Sequence, residues 1–171
     1  MTALTTLVLG GARSGKSVYA ESLLSAAPAL YLATGQAFDD EMSDRIRLHQ
    51  DRRGPGWSTI EEPLDLVGCL DRHMAADRPI LVDCLTLWIS NLMFAERDVT
   101  AACADLCAVL RAPRGRVVLV SSEVGMGLVP ETALGRHFRD HQGRVNQQVA
   151  QICQQVVFVA AGLPLFLKGS A

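Results

Sequence analysis

Leu4-Thr5-Thr6-Leu7-Val8-Leu9-Gly10-Gly11-Ala12-Arg13-Ser14-Gly15-Lys16-Ser17 decides the reading of this 171-residue chain. Residues 4–9 form a short apolar run of strand type, and residues 16–27 follow as a helical pattern. Between them, Gly10 to Ser17 fits G-x-x-x-x-G-K-[ST] in full, in the strand-then-helix context that the motif needs. The residue types follow from chemistry. Glycines let backbone N–H groups close around phosphate oxygens, and a helix start adds partial positive charge. In such a loop Gly10, Gly11, Ala12, Arg13, Ser14 and Gly15 cradle nucleotide phosphates. Lys16 reaches the β- and γ-phosphates, and the Ser17 hydroxyl ligates Mg2+.

Outward from this loop, short apolar runs alternate with helical patterns. Strands are predicted at 29–33, 79–84 and 116–121. A highly charged helix is predicted at 39–53, and helical stretches follow the 79–84 strand to about residue 111. After the turn Gly125-Met126-Gly127, one or two helices run from Pro130 to about residue 155. Residues 156–160 and 165–168, separated by Ala-Gly-Leu-Pro, read as a terminal hairpin. The expected fold is α/β: a P-loop, RecA-like, mostly parallel sheet flanked by helices, with an antiparallel C-terminal edge hairpin. With no long linker and no repeat, residues 1–171 read as a single domain.

Composition narrows the function. Hydrophobic residues make up 49% and charged residues 20%, which excludes a disordered chain. Lys+Arg is 16 and Asp+Glu is 18, a net charge of -2, which weighs against nucleic acid as a partner. Aromatics at 5% weigh against base-stacking platforms. Five cysteines without a CxxC read as reduced thiols of a cytoplasmic protein rather than a disulfide frame or zinc site. No leader-type N-terminus is visible, and the most apolar stretch, 156–167, is too short to insert across a membrane.

Asp83 ends the run Ile80-Leu81-Val82-Asp83 and has two readings. It is the acidic Mg2+ partner expected beside a P-loop, or a cap for the helix that follows. There is no Asn-Lys-x-Asp guanine motif, and the chain is short for a motor ATPase. A small-metabolite kinase fits best, with a non-catalytic nucleotide-binding subunit as the other class. In the charged segment, Arg45 and His49 share a helix face, and Arg52 and Arg53 end it. An imidazole beside phosphate-binding arginines suits nucleophilic attack on phosphorus, whereas a solvated, salt-bridged face is the plainer reading. His137 and His141 lack a third metal ligand in sequence, and His73 reads as a surface residue. Arg136, Arg139 and Arg144 suit substrate phosphate or a subunit contact. Glu123, after a strand, either orders an acceptor hydroxyl or water, or is a turn carboxylate.

Several further pieces occur in order: Ala33-Thr34-Gly35-Gln36, Asp39-Asp40-Glu41-Met42, and Arg45-Ile46 followed by His49. Downstream stand Ser122-Glu123-Val124-Gly125-Met126-Gly127-Leu128-Val129-Pro130-Glu131, Arg136-His137-Phe138-Arg139-Asp140 and Gly143-Arg144-Val145-Asn146-Gln147. With the P-loop, these make the chain resemble the bifunctional adenosylcobinamide kinase / adenosylcobinamide-phosphate guanylyltransferases of cobalamin biosynthesis over nearly its whole length. The resemblance implies ATP or GTP as substrates, Mg2+ as cofactor and a homotrimer. It implies that Thr34, Gly35 and Gln36 line the nucleotide site and that His49 becomes guanylylated. It further implies that Gln50, Asp51, Arg52 and Arg53 contact the bound GMP, that Glu61 or its neighbour Glu62 reads guanine, and that Asp83 lies beside Mg2+ and phosphate.

Overall fold

The computed structural model describes residues 4–24, 28–36 and 56–170. The charged segment 39–53, with His49, Gln50, Asp51, Arg52 and Arg53, lies outside the described residues. Seven strands form one sheet: β1 (Thr5–Gly10), β2 (Ala29–Ala33), β3 (Trp57–Glu61), β4 (Ile80–Asp83), β5 (Val117–Ser122), β6 (Gln155–Ala160) and β7 (Leu163–Lys168). Their order is β3-β2-β4-β5-β1-β6-β7, parallel throughout except for the antiparallel pair β6-β7. The mostly parallel sheet and the antiparallel edge hairpin are as the sequence pattern predicts.

The described helices are α1 (Lys16–Ser22), α2 (Leu66–His73), α3 (Leu85–Phe94), α4 (Val99–Arg111) and α5 (Ala133–Ile152). Strand periodicity divides the core into two layers. Leu7, Leu9, Leu30, Leu32, Ile80, Val82, Val117 and Leu119 face α2 to α5. Val8, Tyr31, Leu81, Val118, Val120, Val157 and Val159 face the other side, where Ala20 and Leu24 of the α1 region pack. Every residue of β1 is buried, as a strand covered on both faces requires. Cys103 and Cys107 are packed in the first layer.

Three differences from the sequence expectation have physical causes. The strand β3 was not predicted, because Trp-Ser-Thr-Ile-Glu at a sheet edge shows only half-buried and exposed positions and no continuous apolar run. The helix α2 was likewise not predicted; it is only 8 residues long and starts at a side-chain cap, the Asp65 carboxylate accepting from Gly68 N at 3.0 Å. The 130–155 segment is one helix, α5, beginning three residues past Pro130 with Thr132 as its cap.

The turn Ala161-Gly162 joins β6 to β7 with both residues at positive φ, 51° and 78°, the geometry that matches strand twist in a two-residue hairpin. This turn reaches the P-loop: Gly162 N donates to Ser14 O at 2.8 Å. A Cβ on Gly10 would stand 2.6 Å from Val159 O and against the Ser14 side chain. Gly10 is thus required by packing as well as by any phosphate. Gly10→Ala is expected to lower stability by about 1–3 kcal/mol through overpacking, read as a lower denaturant midpoint at unchanged m-value. Unaltered stability would contradict the close approach of β6.

Candidate functional site

All parallel strands end at one edge of the sheet, so Gly10, Ala33, Glu61, Asp83 and Ser122 share a rim. This is where ligands bind in open α/β sheets. The P-loop leaves β1 at Gly10 and enters α1 at Lys16, with Arg13 at φ 55° and Gly15 at φ 94°. Gly15 supplies the left-handed residue before the helix without steric cost. Lys16 Nζ donates to Gly11 O at 3.1 Å, so its ammonium lies back over the loop. The Ser14 hydroxyl is buried with no hydrogen-bond partner among the described residues. Ala12 and Arg13 are exposed, and Ser17 is half-buried in the first turn of α1.

Asp83 ends β4, separated from β1 by β5. The Tyr31 hydroxyl donates to its Oδ2 at 2.8 Å. Asp83 does not cap α3: the cap position is Cys84, with no side-chain cap bond. Sequence reading missed Tyr31; the available signal is strand alternation, which puts Tyr31 and Ala33 on the sheet face shared by Leu81 and Asp83.

Thr34 is fully buried, and its hydroxyl accepts from Cys84 N at 2.9 Å and donates to Cys84 O at 2.7 Å. Asn91 Nδ2 donates to Thr34 O at 2.7 Å and to Pro63 O at 3.1 Å. The Thr34 side chain therefore locks the end of β2 to the end of β4. Gly35 and Gln36 continue outward; Gln36 lines a hollow of about 480 Å³ with Leu64, Asn91, Phe94 and Ala95. At the next strand end the two glutamates differ. Glu62 Oε1 accepts from Leu64 N (3.1 Å) and Asp65 N (2.8 Å), while Glu61 is exposed and has no partner among the described residues.

On the other side of the P-loop, Glu123 N donates to Gly10 O at 3.0 Å, and Glu123 Oε1 accepts from Gly125 N at 2.7 Å. Behind it, Asn146 of α5 accepts from Ser121 Oγ at 2.7 Å and from Gln142 Nε2 at 2.9 Å, and donates to Ser122 O at 3.1 Å. This buried cluster fixes α5 to the end of β5. Arg136 Nη1 donates to Pro130 O and Glu131 O, ordering the approach to α5. His73 is half-buried, its Nδ1 facing Arg78 Nη2 at 3.5 Å on a surface away from the rim.

The cysteines are poor nucleophiles. All five are buried. Burial, with the Asp83 carboxylate beside it, pushes the Cys84 thiol up to about 11. Burial pushes Cys103 and Cys153 up to about 12 and raises Cys69 and Cys107 as well.

The family model described as cobinamide kinase / cobinamide phosphate guanyltransferase matches residues 6–167. The chain is 45% identical over 167 residues to the bifunctional adenosylcobalamin biosynthesis protein CobP of Pseudomonas aeruginosa, covering 95% of this chain and 96% of that protein. It is 42% identical to the corresponding protein CobU of Salmonella typhimurium and 39% identical to CobU of Escherichia coli, each over 178 residues, 95% of this chain and 98% of the relative. Among solved structures, the P4 protein of bacteriophage phi6 in complex with ADP aligns at 15% identity with a TM-score of 0.46, over 96% of this chain and 55% of that one.

The neighbouring glutamates separate in a stability measurement. Glu62→Ala removes the acceptor of two backbone N–H groups and should cost about 1 kcal/mol. Glu61→Ala should change stability by no more than about 0.5 kcal/mol. Urea titration of both variants checks this; equal losses would contradict the division of roles.

Proposed function

The chain belongs to the cobinamide kinase / cobinamide phosphate guanyltransferase family, and we propose that it performs both reactions of that description. The observation that carries this reading is the family match over residues 6–167, which takes in the P-loop and the His49 segment together. A single-function kinase or a non-catalytic nucleotide binder would need only the first.

In the kinase step the terminal hydroxyl oxygen of the adenosylcobinamide aminopropanol arm bonds to the γ-phosphorus of ATP or GTP, and the β–γ bridge bond breaks. Catalysis here is positioning and electrostatics. The loop amides and Lys16 meet the phosphate oxygens, Lys16 leaving Gly11 O to do so. The buried Ser14 hydroxyl, unmatched among the described residues, supports the reading, since a phosphate oxygen supplies the missing acceptor. Mg2+ fits this rim: Tyr31 occupies one oxygen of Asp83, and the other has no partner among the described residues. Asp83 and the Ser17 hydroxyl would hold the ion, which when bound neutralises charge on the phosphates. Tyr31 keeps the carboxylate oriented, and Thr34 holds the backbone that carries it.

In the second step an imidazole nitrogen of His49 bonds to the α-phosphorus of GTP and pyrophosphate leaves. A phosphate oxygen of cobinamide phosphate then displaces His49 and takes the GMP, giving adenosyl-GDP-cobinamide and the free imidazole. The covalent intermediate divides one substitution into two. Gln50, Asp51, Arg52 and Arg53 contact the GMP in this reading, and Gly35 and Gln36 line the nucleotide site. Glu61 reads guanine N1–H and N2–H, supported by a carboxylate with no partner among the described residues beside a Glu62 already engaged.

The same reading treats residues 1–171 as one nucleotide-binding domain, acting on free small molecules in the cytoplasm as a homotrimer. Met126, Leu128 and Val129 expose apolar side chains within four residues of chain, and exposure of that kind supports a subunit contact there. Among the described residues no helix is long and apolar enough to cross a membrane.

Labelled nucleotides test the assignment. Protein incubated with α-labelled GTP should keep label through denaturation, and the label should be lost in mild acid and kept in base, as for a phosphoramidate. His49→Ala should lose this label and retain phosphoryl transfer from γ-labelled nucleotide. Lys16→Ala, which removes one of only two lysines in the chain, should lower phosphoryl transfer by about 100-fold or more while remaining folded. Label persisting on His49→Ala, or normal transfer by folded Lys16→Ala, would overturn the respective role.

A further inference from the structure

A groove of about 690 Å³ runs between α5 and the strands β1, β6 and β7, and Glu123 stands at one end of it. That end adjoins the P-loop, because Glu123 N is bonded to Gly10 O at 3.0 Å. One wall is a stripe of α5 at helical spacing, Gly143, Gln147 and Gln151, and the opposite wall includes Leu167 and Lys168. Both glutamines are exposed, and neither amide has a hydrogen-bond partner among the described residues. Lys168 Nζ donates to Ala150 O (3.1 Å) and Gln151 O (2.8 Å), which ties this wall to the last turn of α5.

Gly143 is the second, independent observation. It lies inside a 20-residue helix, where glycine is unfavourable relative to alanine. Its φ is not in the left-handed region, and a Cβ built on it meets nothing within 4 Å. Neither backbone conformation nor packing among the described residues calls for glycine there. What the missing side chain does is leave the groove open beside Glu123.

We infer that this groove is the corrinoid acceptor site, seating the aminopropanol arm and the adjoining amide-bearing edge of the ring. This rests on the kinase and guanylyltransferase reading above and names where its second substrate binds. The acceptor needs an apolar channel that ends at the P-loop and presents amide partners along its length. Leu167 and the floor of the sheet supply the first, and Gln147 and Gln151 pair with the peripheral carboxamides of a cobinamide. The arm's hydroxyl then arrives at Glu123, beside the loop that holds the γ-phosphate. A nucleotide does not use the groove, so closing it separates the reactions that involve the corrinoid from self-guanylylation, which does not.

The experiment is steady-state kinetics with Gly143→Leu and Gln147→Trp, using adenosylcobinamide and γ-labelled nucleotide, alongside the guanylylation of each protein by α-labelled GTP. Gln147 is exposed, so its variant keeps the test decisive should Gly143→Leu fail to fold. The expected result is a corrinoid KM raised about tenfold or more, nucleotide KM unchanged, and undiminished label from α-labelled GTP. A wild type that neither phosphorylates cobinamide nor takes up GMP overturns the parent reading and this inference with it. An active wild type whose folded variants keep the normal corrinoid KM overturns the inference alone. So does a variant whose sedimentation shows a smaller assembly than the wild type, which would make the groove a contact with a second copy of the chain.

Discussion

The phosphate loop of this protein owes its shape to a turn at the far end of the sequence. Gly162 N bonds to Ser14 O at 2.8 Å, and the Gly162 Cα lies 3.1 Å from where a Gly15 side chain would begin. Two left-handed regions, Arg13–Gly15 and Ala161–Gly162, are packed back to back. Neither segment has a regular ladder of its own at that point, so each supplies the other's missing contact. The terminal hairpin extends the sheet, and it also braces the Arg13–Gly15 turn, the loop that the proposed function assigns to phosphate. Pre-organisation of this kind lowers the ordering cost of binding.

From that fixed loop the rest of the rim follows in sequence. Gly10 O takes the Glu123 N–H, which places the end of β5. The buried Ser121, Gln142 and Asn146 cluster then places α5 against it. On the opposite flank, Thr34 joins β2 to the peptide after Asp83, and Tyr31 holds the carboxylate itself. Polar groups this deeply buried are costly unless paired; Gln142 Oε1 alone of this cluster lacks a partner among the described residues, and the paired groups admit few alternative arrangements. The Cys84 thiol beside them stays protonated, because burial and the neighbouring carboxylate both oppose a second negative charge.

Much of this architecture is legible in the sequence, and the exceptions share a cause. Parallel central strands are apolar on both faces, so Leu7-Val8-Leu9 and Val117-Val118-Leu119-Val120 announce themselves. The edge strand β3 carries Ser58 and Thr59 in exposed positions and has no such signature. The strand–loop–helix context of residues 10–17 and the place of Asp83 at a strand end are readable because the residue pattern around each is local in sequence. Tyr31, Gly162 and the division of labour between Glu61 and Glu62 are not, because each depends on a partner from another element. Thr34 lies in the expected place, yet its hydroxyl is turned inward to Cys84, a fact that only packing reveals. Resemblance, rather than spacing, singles out His49 within a run of charges.

In the proposed function the loop is a preformed phosphate cradle braced by the β6–β7 turn. This claim is tested most directly by a crystal structure with a non-hydrolysable GTP analogue and Mg2+. A preformed cradle predicts the triphosphate inside the loop, with the bond from Gly162 N to Ser14 O kept and Lys16 Nζ moved from Gly11 O to the phosphate oxygens. A triphosphate bound elsewhere, or a loop that must break from Gly162 to admit it, would contradict the claim.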